Sequence, residues 1–202
     1  MKKFIAIAGN MGAGKTSMVD FLQRSYGFEP VYEPFMDNPY LDDFYRDMKT
    51  WGFHSQLYFI THKFRLHREL TDSTGTVVMD RTIYEDAEIF ARNLRNQRCI
   101  GARDWGMYEE LYQTMLKALQ PPDLLIYLRC SVRSIRRRIK RRGRASEQEI
   151  PAAYLRRLNV LYEDWIGRYA LSPVLVWDSD KDDYVQDFRA LAEFQRALRP
   201  FL

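Results

Sequence analysis

Long apolar runs are missing from this 202-residue sequence. No stretch approaches the ~20 consecutive apolar residues that a membrane-spanning helix requires, so no membrane partner is expected. Cysteine is scarce, with only Cys99 and Cys130. The two thiols make neither a metal-binding spacing nor a disulfide framework, which suits a reducing cytosol and a cytoplasmic location. Repeats, low-complexity tracts and linkers are absent as well. Nothing divides the chain, and its length suits one well-buried core better than two, so 1–202 is expected to be a single domain. Acid is lacking between positions 133 and 144. That segment holds Arg133, Arg136, Arg137, Arg138, Lys140, Arg141, Arg142 and Arg144, a local +8, whereas the whole chain carries a formal +4. The rest of the molecule is therefore net acidic. A nucleic-acid binder would spread its basic charge over a broad face, so no nucleic-acid partner is expected.

What is present is alternation. Short β-branched runs at Phe4–Ala8, Val31–Glu33, Thr76–Met79, Leu124–Leu128 and Val174–Trp177 read as strands. Amphipathic stretches lie between them. Over 51–70, Phe53, Leu57, Ile60 and Phe64 recur at spacings of three and four and predict a core-facing stripe. Over 154–169, Tyr154, Leu155, Leu158, Leu161, Tyr162, Trp165 and Ile166 predict another. The pattern is an α/β domain with a parallel sheet covered by helices. The opening Met1-Lys2-Lys3-Phe4-Ile5-Ala6-Ile7-Ala8-Gly9 reads as its first buried strand. Its apolar run is short for a secretory leader and enters a glycine loop instead of a cleavage site. Ligands of such sheets bind beyond the carboxyl ends of the strands, which directs attention to the residues following each one.

After the first strand comes Gly9-Asn10-Met11-Gly12-Ala13-Gly14-Lys15-Thr16, a full match to G-x-x-x-x-G-K-[ST]. Backbone N–H groups of such a loop turn inward around phosphates, and the following helix adds the positive end of its dipole. Lys15 is placed to reach the β- and γ-phosphates and the Thr16 hydroxyl to meet Mg²⁺. Nucleotide binding follows, with a strand before the motif and Met18, Val19, Phe21 and Leu22 continuing it as a helix. A guanine-reading N-K-x-D is absent. Asp72-Ser73-Thr74-Gly75 fits D-x-x-G, yet it precedes a strand where a switch motif would follow one, and it reads as a turn.

Carboxylates and arginines stand at the strand ends. Glu33, followed by Pro34, is positioned to accept a proton from an attacking hydroxyl, or reads as a solvated strand end. Asp80 closes the third strand with Arg81 directly after it. Such an acid orders Mg²⁺, directly or through water, while the arginine orients a hydroxyl and offsets developing charge. From Ser131 to Arg144 the pattern is helical, with Val132, Ile135 and Ile139 on one face. Arg138 and Arg142, four apart, project together. Crowded positive charge of this kind fits a lid closing on triphosphate oxygens, a solvated helix face, or an RNA patch.

Taken in order, these residues resemble the deoxyribonucleoside kinase family. The resemblance rests on the phosphate loop, Glu33-Pro34, Asp80-Arg81-Thr82 with Tyr84 and Asp86 behind it, and Arg138-x-x-x-Arg142-x-Arg144. It rests also on Gln56 in an aromatic helix and Ile150-Pro151-x-x-Tyr154-Leu155 after the lid. It spans nearly the whole chain. It implies a P-loop kinase fold with a five-stranded parallel sheet surrounded by helices, an arginine-rich lid at about 136–149, ATP as phosphate donor, Mg²⁺, and a homodimer. By the same resemblance Glu33 is the base taking the 5′-hydroxyl proton, with Arg81 holding that hydroxyl. Tyr45 and Glu147 bind the sugar 3′-hydroxyl; Gln56 and Asp86 hydrogen-bond the base edge, with Lys63 close by; Phe90 stacks on the base. Arg138, Arg142 and Arg144 form the lid and Asp182 lies near the nucleotide adenine. Read from the residues alone, Tyr45 and Phe90 are equally core aromatics, Glu147 a solvated helix start, and Gln56 with Lys63 one helix face.

Asp80 and Thr82 stand where many members carry Glu and Ser, which keeps the chemical groups. Lys63 stands where several carry an arginine, and a lysine lacks the bidentate fork. An ionised Asp86 only accepts hydrogen bonds, which favours adenine, cytosine or guanine over thymine. Asn38-Pro39-Tyr40-Leu41 is similar to bacterial members acting on purine deoxynucleosides, so deoxyadenosine or deoxyguanosine is the expected substrate. Two rivals share parts of the pattern. A thymidylate kinase-like nucleoside monophosphate kinase has the same loop but needs cations at a phosphorylated acceptor, and a nucleotide-gated RNA-binding protein would use the basic segment.

Overall fold

The computed structural model describes residues 2–32, 37–70, 73–148, 150–180 and 188–201. Glu33, Pro34, Asp72 and Asp182 lie outside the described residues. In chain order the strands are β1 (Phe4–Ala8), β2 (Glu29–Val31), β3 (Val77–Asp80), β4 (Leu124–Arg129) and β5 (Val174–Asp178). The helices are α1 (Lys15–Tyr26), α2 (Leu41–Arg46), α3 (Met48–Glu69), α4 (Ile83–Glu85), α5 (Arg92–Asn96), α6 (Ala102–Leu116), α7 (Val132–Arg142), α8 (Ala145–Gln148), α9 (Ala152–Arg168) and α10 (Phe188–Leu198). A π-helical segment, Asp86–Ala91, joins α4 to α5. The chain forms two compact units: Met1–Tyr32, Thr74–Arg81 and Pro121–Leu202 make one, Glu33–Ser73 and Thr82–Gln120 the other.

The first unit is the sheet with its helices. All five strands are parallel, in the order β2-β3-β1-β4-β5. Ile5, Ala6, Ile7 and Ala8 of β1 are wholly inaccessible, and Leu124 to Leu128 of β4 nearly so. Strands buried on both faces read as continuous apolar runs, and each such Ile or Leu contributes about 1.5–3 kcal/mol. The second strand corrects the sequence expectation, running from Glu29 to Val31 and ending two residues before Glu33. Its start is fixed by polar contacts that a search for β-branched residues misses. The Glu29 N–H donates to the Thr76 carbonyl at 2.9 Å, and the Gly75 N–H donates to Glu29 Oε1 at 3.2 Å. Being at the sheet edge, this strand tolerates Pro30. Residues 73–76 lead into β3, as the turn reading requires. On α9, Tyr154, Leu155, Leu158, Tyr162 and Trp165 are buried as the periodicity predicts, while Leu161 and Ile166 are half-buried. Phe194 of α10 meets Trp177 and Phe21 edge-on, at 5.2 and 5.9 Å between ring centres.

In the second unit α3 is the long element. Asp47 caps it, its carboxylate accepting from the amides of Lys49 and Thr50 at 3.0 and 3.1 Å. The helical period is as expected but the buried face is not. Gly52, Ser55, Gln56, Phe59, Ile60, Lys63 and His67 point inward, whereas Phe53, Leu57 and Phe64 are only half-buried. The helix is rotated because its polar residues have partners inside. The Asn38 amide donates to Ser55 Oγ at 3.0 Å, Lys63 pairs with Asp86 at 3.6 Å, and His67 Nε2 donates to the Gln120 carbonyl at 2.9 Å. Burial pushes the His67 pKa down to about 4, outweighing the raising effect of that carbonyl.

Candidate active site

The phosphate loop leaves β1 at Gly9, where φ is 149° and a Cβ would lie 2.9 Å from the Leu128 carbonyl oxygen. Gly14, at φ 105°, turns the chain into α1. Only glycine suits these two positions. The loop is braced from α9. The Asn10 amide donates to the Leu155 carbonyl at 3.0 Å and to Asn159 Oδ1 at 2.6 Å, and the Tyr162 hydroxyl donates to the Gly9 carbonyl at 2.9 Å. Asn159 in turn donates to the Cys130 carbonyl at 2.9 Å, tying the brace to the end of β4. Lys15 is buried with Nζ 3.2 Å from the Asn10 carbonyl, so its ammonium lies against the loop that it serves.

Beside the loop, Thr16 Oγ1 donates to Asp80 Oδ2 at 2.7 Å. The other carboxylate oxygen, Oδ1, is buried without a hydrogen-bond partner. A buried, half-satisfied carboxylate next to a hydroxyl fits a hard cation. Among the described residues no three His, Cys, Asp or Glu cluster as a metal cage. A cation here would draw its other ligands from phosphate and water, the habit of Mg²⁺. Arg81 is buried and adopts φ 62°, its N–H donating to the Ile7 carbonyl at 3.0 Å. A left-handed arginine costs on the order of 1–3 kcal/mol, and such strain collects at functional positions.

The basic segment forms α7, capped by Ser131 Oγ, which accepts from the Ser134 amide at 3.2 Å, and closed at Gly143. Ile135 and Ile139 are buried as expected, and Val132 is half-buried. Arg138 turns toward the phosphate loop, Nη1 donating to the Ala13 carbonyl at 3.0 Å. Arg142 pairs with Glu147, and Arg144 Nη1 lies 3.5 Å from Glu147 Oε1. Glu147 is buried and is therefore not a solvated helix start. The remaining cations, Arg133, Arg136, Arg137, Lys140 and Arg141, face solvent.

In the second unit, the Thr82 amide donates to Glu85 Oε2 at 3.1 Å, which starts α4 and leads into the π-helical segment. The i→i+5 turns of that segment bury Asp86, Ala87, Ile89, Phe90 and Ala91 together, and segments of this kind recur at functional sites. Asp86 and Lys63 form a buried ion pair. Gln56 lies on the same face of α3 as Lys63, buried, with Oε1 unpartnered. Tyr108 is buried with no partner for its hydroxyl, and burial, aided by the Asp86 charge, raises its pKa well above 10.0. Tyr45 is half-buried, its ring 5.2 Å from that of Phe44. Gln56, Lys63 and Asp86 thus present an acceptor, a cation and a carboxylate from two adjacent elements. Asn159, Tyr162 and Tyr108 escaped sequence reasoning. The sole hint was a polar residue, Asn159, adjoining the apolar stripe of α9.

A family model described as deoxynucleoside kinase matches residues 5–201. The chain belongs to the deoxynucleoside kinase family. It is a phosphotransferase that uses an alcohol as acceptor, which separates it from the nucleoside monophosphate kinases and from RNA-binding proteins. Among its relatives, a deoxyadenosine/deoxycytidine kinase of Bacillus subtilis (strain 168) is 34% identical over 91% of this chain and 85% of that protein. A deoxyguanosine kinase of the same organism is 32% identical over 96% and 97%. The deoxyadenosine kinase of M. mycoides with bound dATP superposes with a TM-score of 0.84 at 29% identity, covering 96% of this chain and 99% of that one. The parallel sheet and its helices are thus those of this kinase family. No helix among the described residues is long and apolar enough to cross a membrane.

Proposed function

We propose that this deoxynucleoside kinase transfers the γ-phosphoryl of ATP to the 5′-hydroxyl of a purine deoxynucleoside, deoxyadenosine or deoxyguanosine. The 5′-oxygen attacks the γ-phosphorus, the bond from that phosphorus to the β,γ-bridging oxygen breaks, and ADP leaves. Glu33 accepts the hydroxyl proton, and the deoxynucleoside monophosphate is the other product. The observation that carries the reading is the pairing of a braced phosphate loop with the Thr16–Asp80 contact and its half-satisfied carboxylate. Mg²⁺ held by Thr16 and Asp80 would neutralise charge on the triphosphate. Lys15 binds the β- and γ-phosphates, with the amides of Gly9 to Gly14 around them. Arg81 orients the acceptor hydroxyl. Arg138 offsets charge on the transferred group, joined by Arg142 and Arg144 as the lid closes. By the family resemblance, Asp182 is assigned to the adenine of ATP.

On the acceptor side Asp86 and Gln56 hydrogen-bond the base, Lys63 pairs with Asp86, Phe90 stacks on the ring, and Tyr45 and Glu147 take the 3′-hydroxyl. An ionised Asp86 accepts from an exocyclic amino group, which adenine, guanine and cytosine supply and thymine lacks. Both Bacillus subtilis relatives carry a purine deoxynucleoside in their names, deoxyadenosine beside deoxycytidine in one and deoxyguanosine in the other, which supports the purine assignment. Two copies would form a homodimer in the cytoplasm. A coupled ADP-release assay with ATP, Mg²⁺ and each of the four common deoxynucleosides tests the reading. Turnover of deoxyadenosine or deoxyguanosine above deoxycytidine, with thymidine inert, is expected. Thymidine as the best substrate would overturn the acceptor assignment.

A further inference from the structure

We infer that Ser179 is a positioning residue for phosphoryl transfer, holding Arg138 against the phosphate loop. The inference rests on the proposed role of Arg138 at the transferred phosphoryl. Three groups meet at one point. The Ala13 carbonyl of the phosphate loop accepts from Arg138 Nη1 at 3.0 Å and from Ser179 Oγ at 3.1 Å. Arg138 Nη1 also donates to Ser179 Oγ at 3.2 Å, which closes the triangle, and Nη2 donates to the Ser179 carbonyl at 2.6 Å. The serine hydroxyl therefore uses its single proton on the loop and a lone pair on the arginine.

The post is rigid. The Ser179 N–H donates to the Arg129 carbonyl at 2.9 Å, carrying the β4–β5 pairing one residue further, and Ser179 is 1% exposed. The next residue, Asp180, bonds to the start of α7: Oδ2 accepts from the Ser131 amide at 3.0 Å and Oδ1 from the Cys130 thiol at 3.3 Å. Both ends of the arrangement are thus set by the sheet. Of the five guanidinium N–H donors, the Nε–H and one Nη2 proton stay uncommitted and available to a phosphate oxygen. A charge-stabilising group gains most when its orientation is fixed in advance, because nothing then reorganises during transfer. The pattern is invisible in the sequence, where Ser179 lies 41 positions from Arg138 and 166 from Ala13.

The test is a double-mutant cycle in kcat, with KM and thermal midpoint recorded for each protein. Arg138→Ala lowers kcat. Ser179→Ala lowers kcat by on the order of 10-fold, the scale of one hydrogen bond to a charged group. It leaves KM for the deoxynucleoside within about 2-fold, and it adds nothing when Arg138 is already alanine. Should Ser179→Ala fail to fold, Ser179→Cys keeps the volume while removing the strong donor and acceptor, and it serves in the same cycle. Additive losses in the double variant, or wild-type kcat in Ser179→Ala beside a slow Arg138→Ala, would overturn the inference. Wild-type kcat in Arg138→Ala would instead remove the role of Arg138 itself.

Discussion

The phosphate end and the base end of this kinase are built on opposite principles. The phosphate end is backbone: a glycine loop on a parallel strand, with side chains such as Asn10, Asn159 and Tyr162 bracing it by bonding to carbonyls. The proposed base end is side chains: Gln56, Lys63 and Asp86, all buried, charged or polar, and placed by a rotated α3 and a π-helical segment. A backbone cradle accepts any triphosphate and costs the fold little. A buried polar pocket can tell one base from another but must balance its own charges. Variants at the reaction centre should therefore lose rate, and variants at the base end should lose stability.

The largest expected effect is on rate. Glu33→Gln should lower kcat by about 10²–10⁴-fold with little change in ATP affinity, the signature of a missing general base. Steady-state kinetics with equilibrium ATP binding checks it; a near-wild-type rate would take Glu33 out of the reaction. Next comes Asp86→Ala, which removes the carboxylate 3.6 Å from the Lys63 ammonium, itself 1% exposed. Unfolding in urea should show a loss of about 3–5 kcal/mol, and Lys63→Met with Asp86→Leu should restore much of it. A loss below ~1 kcal/mol would mean that the pair does not carry the pocket.

Smaller is the pH effect of His67. With its folded pKa near 4 against 6.5 unfolded, the unfolded chain binds the proton first as pH falls. The stability contributed by neutral His67 is whole above about 6.5 and drains away down to about 4. Between pH 7 and pH 5 that amounts to about 2 kcal/mol. Urea titrations at the two pH values should show a drop that His67→Gln reduces by about this amount. An identical drop in both proteins would indicate that His67 titrates normally.

The same contrast explains what the sequence made legible. The loop from Gly9 to Thr16, Asp80 beside it, four strands nearly to the residue and the apolar face of α9 all follow from local pattern. Local pattern suffices there because a parallel strand buried on both faces has one kind of sequence, and a phosphate turn has one spacing of glycines. The face of α3 was misread because hydrophobic periodicity assumes that the core takes the apolar side. Here Ser55, Lys63 and His67 find partners at Asn38, Asp86 and Gln120 that no window of sequence contains. The early start of β2 depends likewise on Gly75, and the orientation of Arg138 on Ser179. Long-range hydrogen bonds decided each of these points, and they leave no periodic trace.

The central claim is that a neutral alcohol, and not a phosphate, receives the phosphoryl group. Incubation with γ-labelled ATP and Mg²⁺, offering deoxyadenosine or deoxyguanosine in one set of reactions and their monophosphates in another, measures this directly. The account predicts label in dAMP or dGMP from the nucleosides and none in dADP or dGDP from the monophosphates. Label appearing in the diphosphates alone would contradict it.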